Sequence, residues 1–148
     1  MDEVTVKTLN TLIETLKDGQ NGFKIAAADV KDMRVKSVFT ELAQDRTRLA
    51  GELQSEVSRL GGDPEKSGSA SAAVHRGWIN LKSVLGGGEK SILDEAERGE
   101  DVAVKSFETA LQAKLPPDVA GVVRRQYDEV KKAHDKVRGL RDSWKDSK

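Results

Sequence analysis

Apolar residues recur at alternating steps of three and four along four stretches of the chain, and this spacing predicts four amphipathic helices. The pattern is plainest in residues 34–60, where the apolar row is Val35, Phe39, Leu42, Leu49, Leu53 and Leu60. The step between Leu42 and Leu49 falls on Arg46, so a charge stands in the middle of an apolar row. Each of the other long predicted helices also carries a polar residue near its middle. These interruptions are the main candidates for a functional site.

The first predicted helix covers residues 5–30, and its polar interruption is Gln20. The turn after it is only about three residues long, so the first two helices are expected to be antiparallel neighbours. Counting outward from that turn places Gln20 level with Arg46. Gly19 and Gly22 lie beside the interruption, although glycine is unfavourable inside a helix. They indicate either the close approach of a neighbouring helix, which we favour, or local irregularity around a site.

Residues 61–90 are expected to form a long crossover that carries the chain from one end of the bundle to the other. Glycine followed by proline, in residues 61–64, ends the second helix, and a short helix is predicted near residues 72–85. Helices two and three would then be parallel. Trp78 is expected to pack the crossover onto the bundle, the alternative being a small binding edge formed with His75 and Arg76.

The glycine run at residues 86–88 faintly resembles a phosphate-binding loop. No apolar strand leads into it, and the position before Lys90 holds a glutamate rather than a glycine. We therefore interpret this run as a flexible hinge.

The third and fourth predicted helices cover residues 91–115 and 118–144. Ser91 begins a sequence like a capping box, and Asp118 follows two prolines in a position where it could cap the fourth helix. Glu100 interrupts the third apolar row, while Gln126 and His134 are the polar members near the fourth. Counting outward from the prolines places Glu100 level with His134.

The chain carries 25 basic and 25 acidic residues, so its charge favours neither nucleic acid nor an anionic membrane as a partner. There is no cysteine, which excludes disulfides and thiolate chemistry. No apolar run approaches the ~20 residues needed to span a bilayer, and the acidic N-terminus does not resemble a secretory signal. These features predict one soluble, cytoplasmic domain over residues 1–148.

Several short stretches of the sequence occur in an order that resembles a known family. Two helical hairpins joined by a long crossover form the ferritin-like connection. The chain resembles a bacterial family of ferritin-like four-helix-bundle proteins of unknown function. The matching stretches are Lys17-Asp18-Gly19, Gly22-Phe23, Ala26-Ala27, Asp45-Arg46, Glu52-Leu53, His75-Arg76-Gly77-Trp78, Leu81-Lys82, Glu97-Arg98-Gly99-Glu100-Asp101, Leu115-Pro116-Pro117-Asp118 and His134-Asp135. The resemblance implies an all-α, antiparallel four-helix bundle with an extra crossover helix, and it implies no established activity.

Di-iron ferritin-like proteins hold their metals with one Glu from each of two helices and a Glu-x-x-His pair from each of the other two. In the second helix, Arg46 and Leu49 stand where such a pair belongs, and Lys131 stands three residues before His134. Only Glu100 matches the pattern cleanly. Further candidate metal or ligand neighbours are Glu14, Asp18 and Glu97. We therefore expect a degenerate metal centre without a cofactor; the alternative is bound iron or another divalent metal.

Arg46 offers a positive interpretation, in which its guanidinium takes the place of the metal cation. It would face the Glu100 carboxylate across the core, and Gln20 and His134 would add hydrogen bonds to complete a polar core layer. A buried arginine without a partner is costly, so a partner is expected if Arg46 lies inside. Alternatively, Arg46 lies at the edge of the row and extends to solvent.

The leading interpretation is a non-enzymatic protein with a structural or protein-interaction role, forming a homodimer or binding an unidentified protein. No catalytic residues are predicted. The chain has no cysteine, and no serine is predicted to lie beside either histidine, which would have to act as its base. The alternative is a metal-binding protein of the iron-handling or oxidoreductase class. A third hypothesis is a ligand pocket between the helices beside Gly19, Gly22 and Gly99.

Overall fold

The computed structural model describes residues 2–66, 78 and 80–146. The described residues form helices and connections and contain no β-strand, which confirms the all-α prediction. The helices are α1 (Glu3–Asp29), α2 (Met33–Arg59), α3 (Leu81–Val84), α4 (Glu89–Gln112) and α5 (Pro117–Asp146). Four of them are long enough to build the predicted bundle, and α3 is a single turn in the crossover.

The four long helices pack in the order α1, α2, α5, α4 around the bundle. Contacts are densest between α1 and α2 and between α4 and α5, α1 also packs on α4, and α2 touches α5 much more sparsely. The start of α4 lies beside the turn between α1 and α2, because the N–H groups of Lys31 and Asp32 donate to the Glu89 carboxylate at 3.1 and 2.8 Å. Helices α2 and α4 therefore run parallel, as predicted, and lie diagonally opposite each other.

The end of α2 shows why glycine was a reliable stop signal. The N–H of Gly61 donates to the Ser58 carbonyl at 3.0 Å, and the N–H of Gly62 donates to the Val57 carbonyl at 2.9 Å. This pair of bonds is a Schellman motif, and Gly61 has the positive φ of 84° that the motif requires. The carbonyls at the end of the helix are satisfied, and the chain turns into the crossover.

Several predicted helix boundaries are wrong by a few residues. Helix α4 starts at Glu89, after Gly88 with its φ of 99°, so Ser91 lies inside the first turn and is not the cap. It ends at Gln112 instead of residue 115. Helix α5 starts at Pro117, whose fixed φ suits the first helical position, and Asp118 therefore lies in the first turn. Helix α3 covers Leu81–Val84, within the predicted 72–85; residues 72–77 and 79 of that prediction lie outside the described part.

The buried side chains form two apolar clusters, one in each half of the bundle. The half near the α1–α2 turn contains Phe23, Phe39, Trp78, Ile92 and Leu93 among others. The other half contains Leu9, Leu16, Leu53, Phe107 and Val123 among others. Along α2, Arg46 lies between the two clusters, and along α4, Glu100 does. The polar residues that interrupt the sequence pattern thus mark the boundary between two apolar halves.

Candidate functional site

Arg46 and Glu100 form an ion pair across the diagonal of the bundle. The distance from Arg46 Nη2 to Glu100 Oε2 is 2.6 Å, and the two residues are 1% and 0% exposed. Arg46 therefore lies inside the bundle and does not reach solvent. A charged hydrogen bond this short inside a core is strong, but each charge also loses its hydration there.

The other half of this ion pair is unpartnered. Arg46 Nη1 and Glu100 Oε1 are both buried, and neither has a hydrogen-bond partner in the described part of the chain. The ring of Phe23 lies 5.4 Å from the guanidinium carbon, near enough for a cation–π contact. The pair therefore contacts an aromatic ring as well as its ionic partner.

Gly19 provides the room for the guanidinium. A Cβ atom at position 19 would lie 2.9 Å from Arg46 Nη1, closer than side-chain atoms normally approach. The glycine is thus explained by the approach of an arginine side chain, not by the approach of a helix backbone. This corrects the reason favoured from the sequence.

Gln20 does not belong to this layer. Its side chain lines an outer groove of about 320 Å³ between α1 and α2, together with residues such as Lys24, Thr40 and Gln44. Its Oε1 atom is buried without a partner in the described chain. The row passes from Leu16 through Gly19 to Phe23, and one residue further along a helix is rotated by about 100°. The prediction for Gln20 is therefore wrong by one residue.

His134 also lies outside the layer, for the same reason. Ala133 holds the buried position of the row, and the His134 ring lies at the seam between α4 and α5. Its Nε2 atom lies 2.6 Å from Asp101 Oδ1, and its Nδ1 atom lies 3.2 Å from Asp135 Oδ1. A carboxylate can only accept, so both contacts are hydrogen bonds only when the imidazole carries two protons.

The charge of His134 leads to a prediction about pH. Partial burial lowers its pKa, but the hydrogen bonds to Asp135 and Asp101 outweigh burial, and the pKa lies above its ordinary 6.5. A raised pKa in the folded state means that this group stabilises the fold fully below pH 6.5. The stabilisation is lost as the pH rises through the folded pKa.

We expect the difference in free energy of unfolding between the wild type and His134→Gln to shrink as the pH rises from about 5 to about 8. Denaturant titrations of both proteins across that range measure it, and titrations elsewhere in the chain cancel in the difference. A difference that is flat with pH would contradict the assignment.

The three further candidate residues do not converge on Glu100. Glu97 forms a hydrogen bond and an ion pair with Arg141 of α5. Glu14 is half-buried, and burial followed by the carboxylates of Glu65 and Asp18 raises its pKa. Asp18 is buried beside Gly19. Within residues 2–66, 78 and 80–146, no group of three or more His, Asp or Glu side chains could hold a metal ion.

Trp78 occupies the place where a ligand pocket was considered. Its indole fits between Gly22 of α1 and Gly99 of α4, where a Cβ atom would lie 2.4 and 2.3 Å from ring atoms. The ring also packs edge-on against Phe23, with centroids 5.1 Å apart. Trp78 therefore packs the crossover onto the bundle, as predicted; His75 and Arg76 lie outside the described residues.

Sequence reasoning missed the contacts of two buried polar residues, Gln126 and Glu95. Gln126 is fully buried, and its amide donates to the Leu49 carbonyl at 3.1 Å and to Glu52 at 2.7 Å. Glu95 is 2% exposed and accepts the N–H of Asn80 at 2.9 Å, which fixes the crossover on α4. Gln126 was visible as a polar residue near the fourth row, but nothing in the sequence pointed to its partners.

The arrangement of the helices defines the class of protein. Two antiparallel helical hairpins, joined by a long crossover that makes the second and third long helices parallel, are the ferritin-like arrangement. The chain belongs to the family described as domain of unknown function DUF2383, whose model matches residues 4–113. None of the described helices combines the length and apolarity needed to cross a membrane.

A solved structure supports the same fold. The chain is similar to a two-domain protein from Anabaena variabilis that contains DJ-1/ThiJ/PfpI-like and ferritin-like domains. The TM-score is 0.78 at 14% identity, and the match covers 97% of this chain but only 37% of that one. No curated protein matches the chain. At this level of identity the similarity shows the fold alone.

Proposed function

We propose that this chain is a non-enzymatic ferritin-like protein with a structural or protein-interaction role, in which an ion pair replaces the metal centre. The observation that carries the proposal is the 2.6 Å contact between Arg46 and Glu100 in the middle of the bundle. A guanidinium at that level supplies the positive charge that a metal ion would otherwise bring to the buried carboxylate.

The residues around the pair fit a di-metal centre poorly. Two adjacent divalent ions need several anionic oxygens and neutral imidazoles converging on one level. Here Glu100 is paired with Arg46, and Glu97 is paired with Arg141. The His134 ring contacts the carboxylates of two aspartates. A cation placed beside Glu100 would also be repelled by Arg46. This donor set supports the metal-free proposal.

Oxidation of ferrous iron in air separates this proposal from an iron-handling function. We expect the wild-type protein to oxidise ferrous iron no faster than the buffer alone, because Glu100 and Glu97 are each paired with an arginine. The assay follows ferric-ion absorbance, with Glu100→Gln as the matched control. Oxidation above the buffer rate that disappears in Glu100→Gln would favour the iron-handling alternative and overturn the proposal.

The interaction role requires a partner, which we propose to be a second copy of the chain or another protein. Exposed apolar side chains of the kind used in protein contacts include Ile25 of α1 and Leu85 of the crossover, 41% and 38% exposed. Light scattering of the purified protein distinguishes the two partners. A mass of twice 16.1 kDa supports the homodimer, and a mass of 16.1 kDa leaves another protein as the proposed partner.

A further inference from the structure

We infer that the core layer binds an ordered water molecule, which accepts a hydrogen bond from Arg46 Nη1 and donates one to Glu100 Oε1. The two groups are only half paired with each other. Nη2 and Oε2 contact each other at 2.6 Å, whereas Nη1 and Oε1 are buried and partnerless among the described residues. Buried polar atoms are nearly always satisfied by protein or by water, and leaving charged ones unsatisfied is costly.

The chemistry of the two atoms selects the ligand. A molecule that serves both must accept from a guanidinium N–H and donate to a carboxylate oxygen. A metal ion cannot accept a hydrogen bond and would be repelled by Arg46, and any anion would be repelled by Glu100. Water does both and is the usual bridge between buried polar groups. The site therefore selects water over either kind of ion.

The surroundings isolate this site from bulk solvent. Phe23 lies near the guanidinium, Gly19 packs against Nη1, and an apolar cluster fills each half of the bundle on either side of the layer. A water molecule held there should exchange slowly, and it would restore part of the hydration that the two charges lose on burial. Arg46 and Glu100 would then form a hydrated ion pair between the two apolar clusters.

A high-resolution crystal structure of the full chain tests the inference directly. We expect density for a water oxygen within about 3 Å of both Arg46 Nη1 and Glu100 Oε1. Two results would overturn it: a carboxylate turned so that both of its oxygens pair with the guanidinium, or an anomalous signal that identifies a metal at this position.

Relaxation dispersion of water nuclei supplies a second measurement, because it counts long-lived internal water in solution. The comparison variant carries Arg46→Met and Glu100→Leu together, which removes both polar groups while keeping similar volume. The wild type should hold at least one more long-lived water than this variant, and equal counts would contradict the inference. If the variant does not fold, the wild-type crystal structure decides alone.

The inference rests on the same ion pair as the proposed function, but the two can fail separately. A protein that neither oxidises nor binds iron and also lacks the water refutes only the inference. A protein that binds metal at Glu100 refutes both.

Discussion

Replacing Arg46 by leucine should lower the free energy of unfolding by about 3–5 kcal/mol, the largest loss expected from any single polar residue in the chain. The substitution leaves the Glu100 carboxylate without its partner at 0% exposure, so a charge remains buried and unpaired. Chemical denaturation of the two proteins measures the loss. A variant that is too unstable to purify would also show a large loss of stability.

Two further variants separate the pair from its parts. Arg46→Met combined with Glu100→Leu should recover most of the lost stability, because removing both charges also removes their desolvation cost. Arg48→Met removes a solvent-exposed arginine that pairs with Glu129 at 2.9 Å, and it should cost less than about 1 kcal/mol. If Arg46→Leu costs no more than Arg48→Met, the buried pair is not formed as described.

Gly99→Ala should destabilise the protein by about 1–3 kcal/mol, although alanine is the better helix former. The new Cβ atom would lie 2.3 Å from Trp78 Cε2, and the rigid indole can avoid it only by leaving its slot. Gly139→Ala in α5 is the matched control, since nothing in the described part of the chain, apart from the flanking residues and the helix's own backbone, lies within 4 Å of a Cβ there. That control should gain up to about 1 kcal/mol.

Trp78→Ala tests whether the effect of Gly99→Ala comes from a clash with the indole. The truncation alone should cost about 3–5 kcal/mol. Adding Gly99→Ala to Trp78→Ala should then cause no further loss of stability, because the indole that would clash with the new Cβ is absent. In a Trp144→Phe protein, which leaves one of the two tryptophans, Gly99→Ala should shift the emission of Trp78 to longer wavelength. Equal effects of Gly99→Ala with and without the indole would show that the slot is misassigned.

The helices and their order followed from periodicity because each apolar row is long, and because the connections after the second and third helices carry glycine or proline stop signals. The pairing of Arg46 with Glu100 was also predicted, since both residues lie on the row of their own helix and each interrupts that row near its middle. Counting outward from the connections then placed each residue at a height in the bundle. Rise per residue is nearly constant along a helix, so such counting works for height.

Rotation around a helix is harder to predict than height. From Leu16 the row can continue through Gly19 or Gln20, and glycine gives no apolar signal to decide between them. The prediction for His134 was also wrong. Ala133 already holds the row position, and the level of His134 alone did not place its side chain on the same face. Adjacent residues on a helix are rotated by about 100°. Gly19 and Ala133 therefore lie in the core, whereas Gln20 lies in a groove and His134 lies at a seam between helices.

The slot for Trp78 could not be derived from periodicity at all. Gly22 and Gly99 stood out as glycines inside helices, but they belong to different helices and meet only through the indole of the crossover. Its path is fixed by contacts between elements distant in sequence, such as the bond from Asn80 to Glu95. A pattern within one helix carries no information about such contacts.

The metal content of the purified protein tests the central claim most directly. The wild type and Glu100→Gln are incubated with ferrous iron or zinc, freed of excess metal, and measured by elemental mass spectrometry. Because Arg46 supplies the positive charge beside Glu100, we predict well below one equivalent of either metal in both proteins. One equivalent or more in the wild type, lost in Glu100→Gln, would show that Glu100 binds metal and would contradict the account.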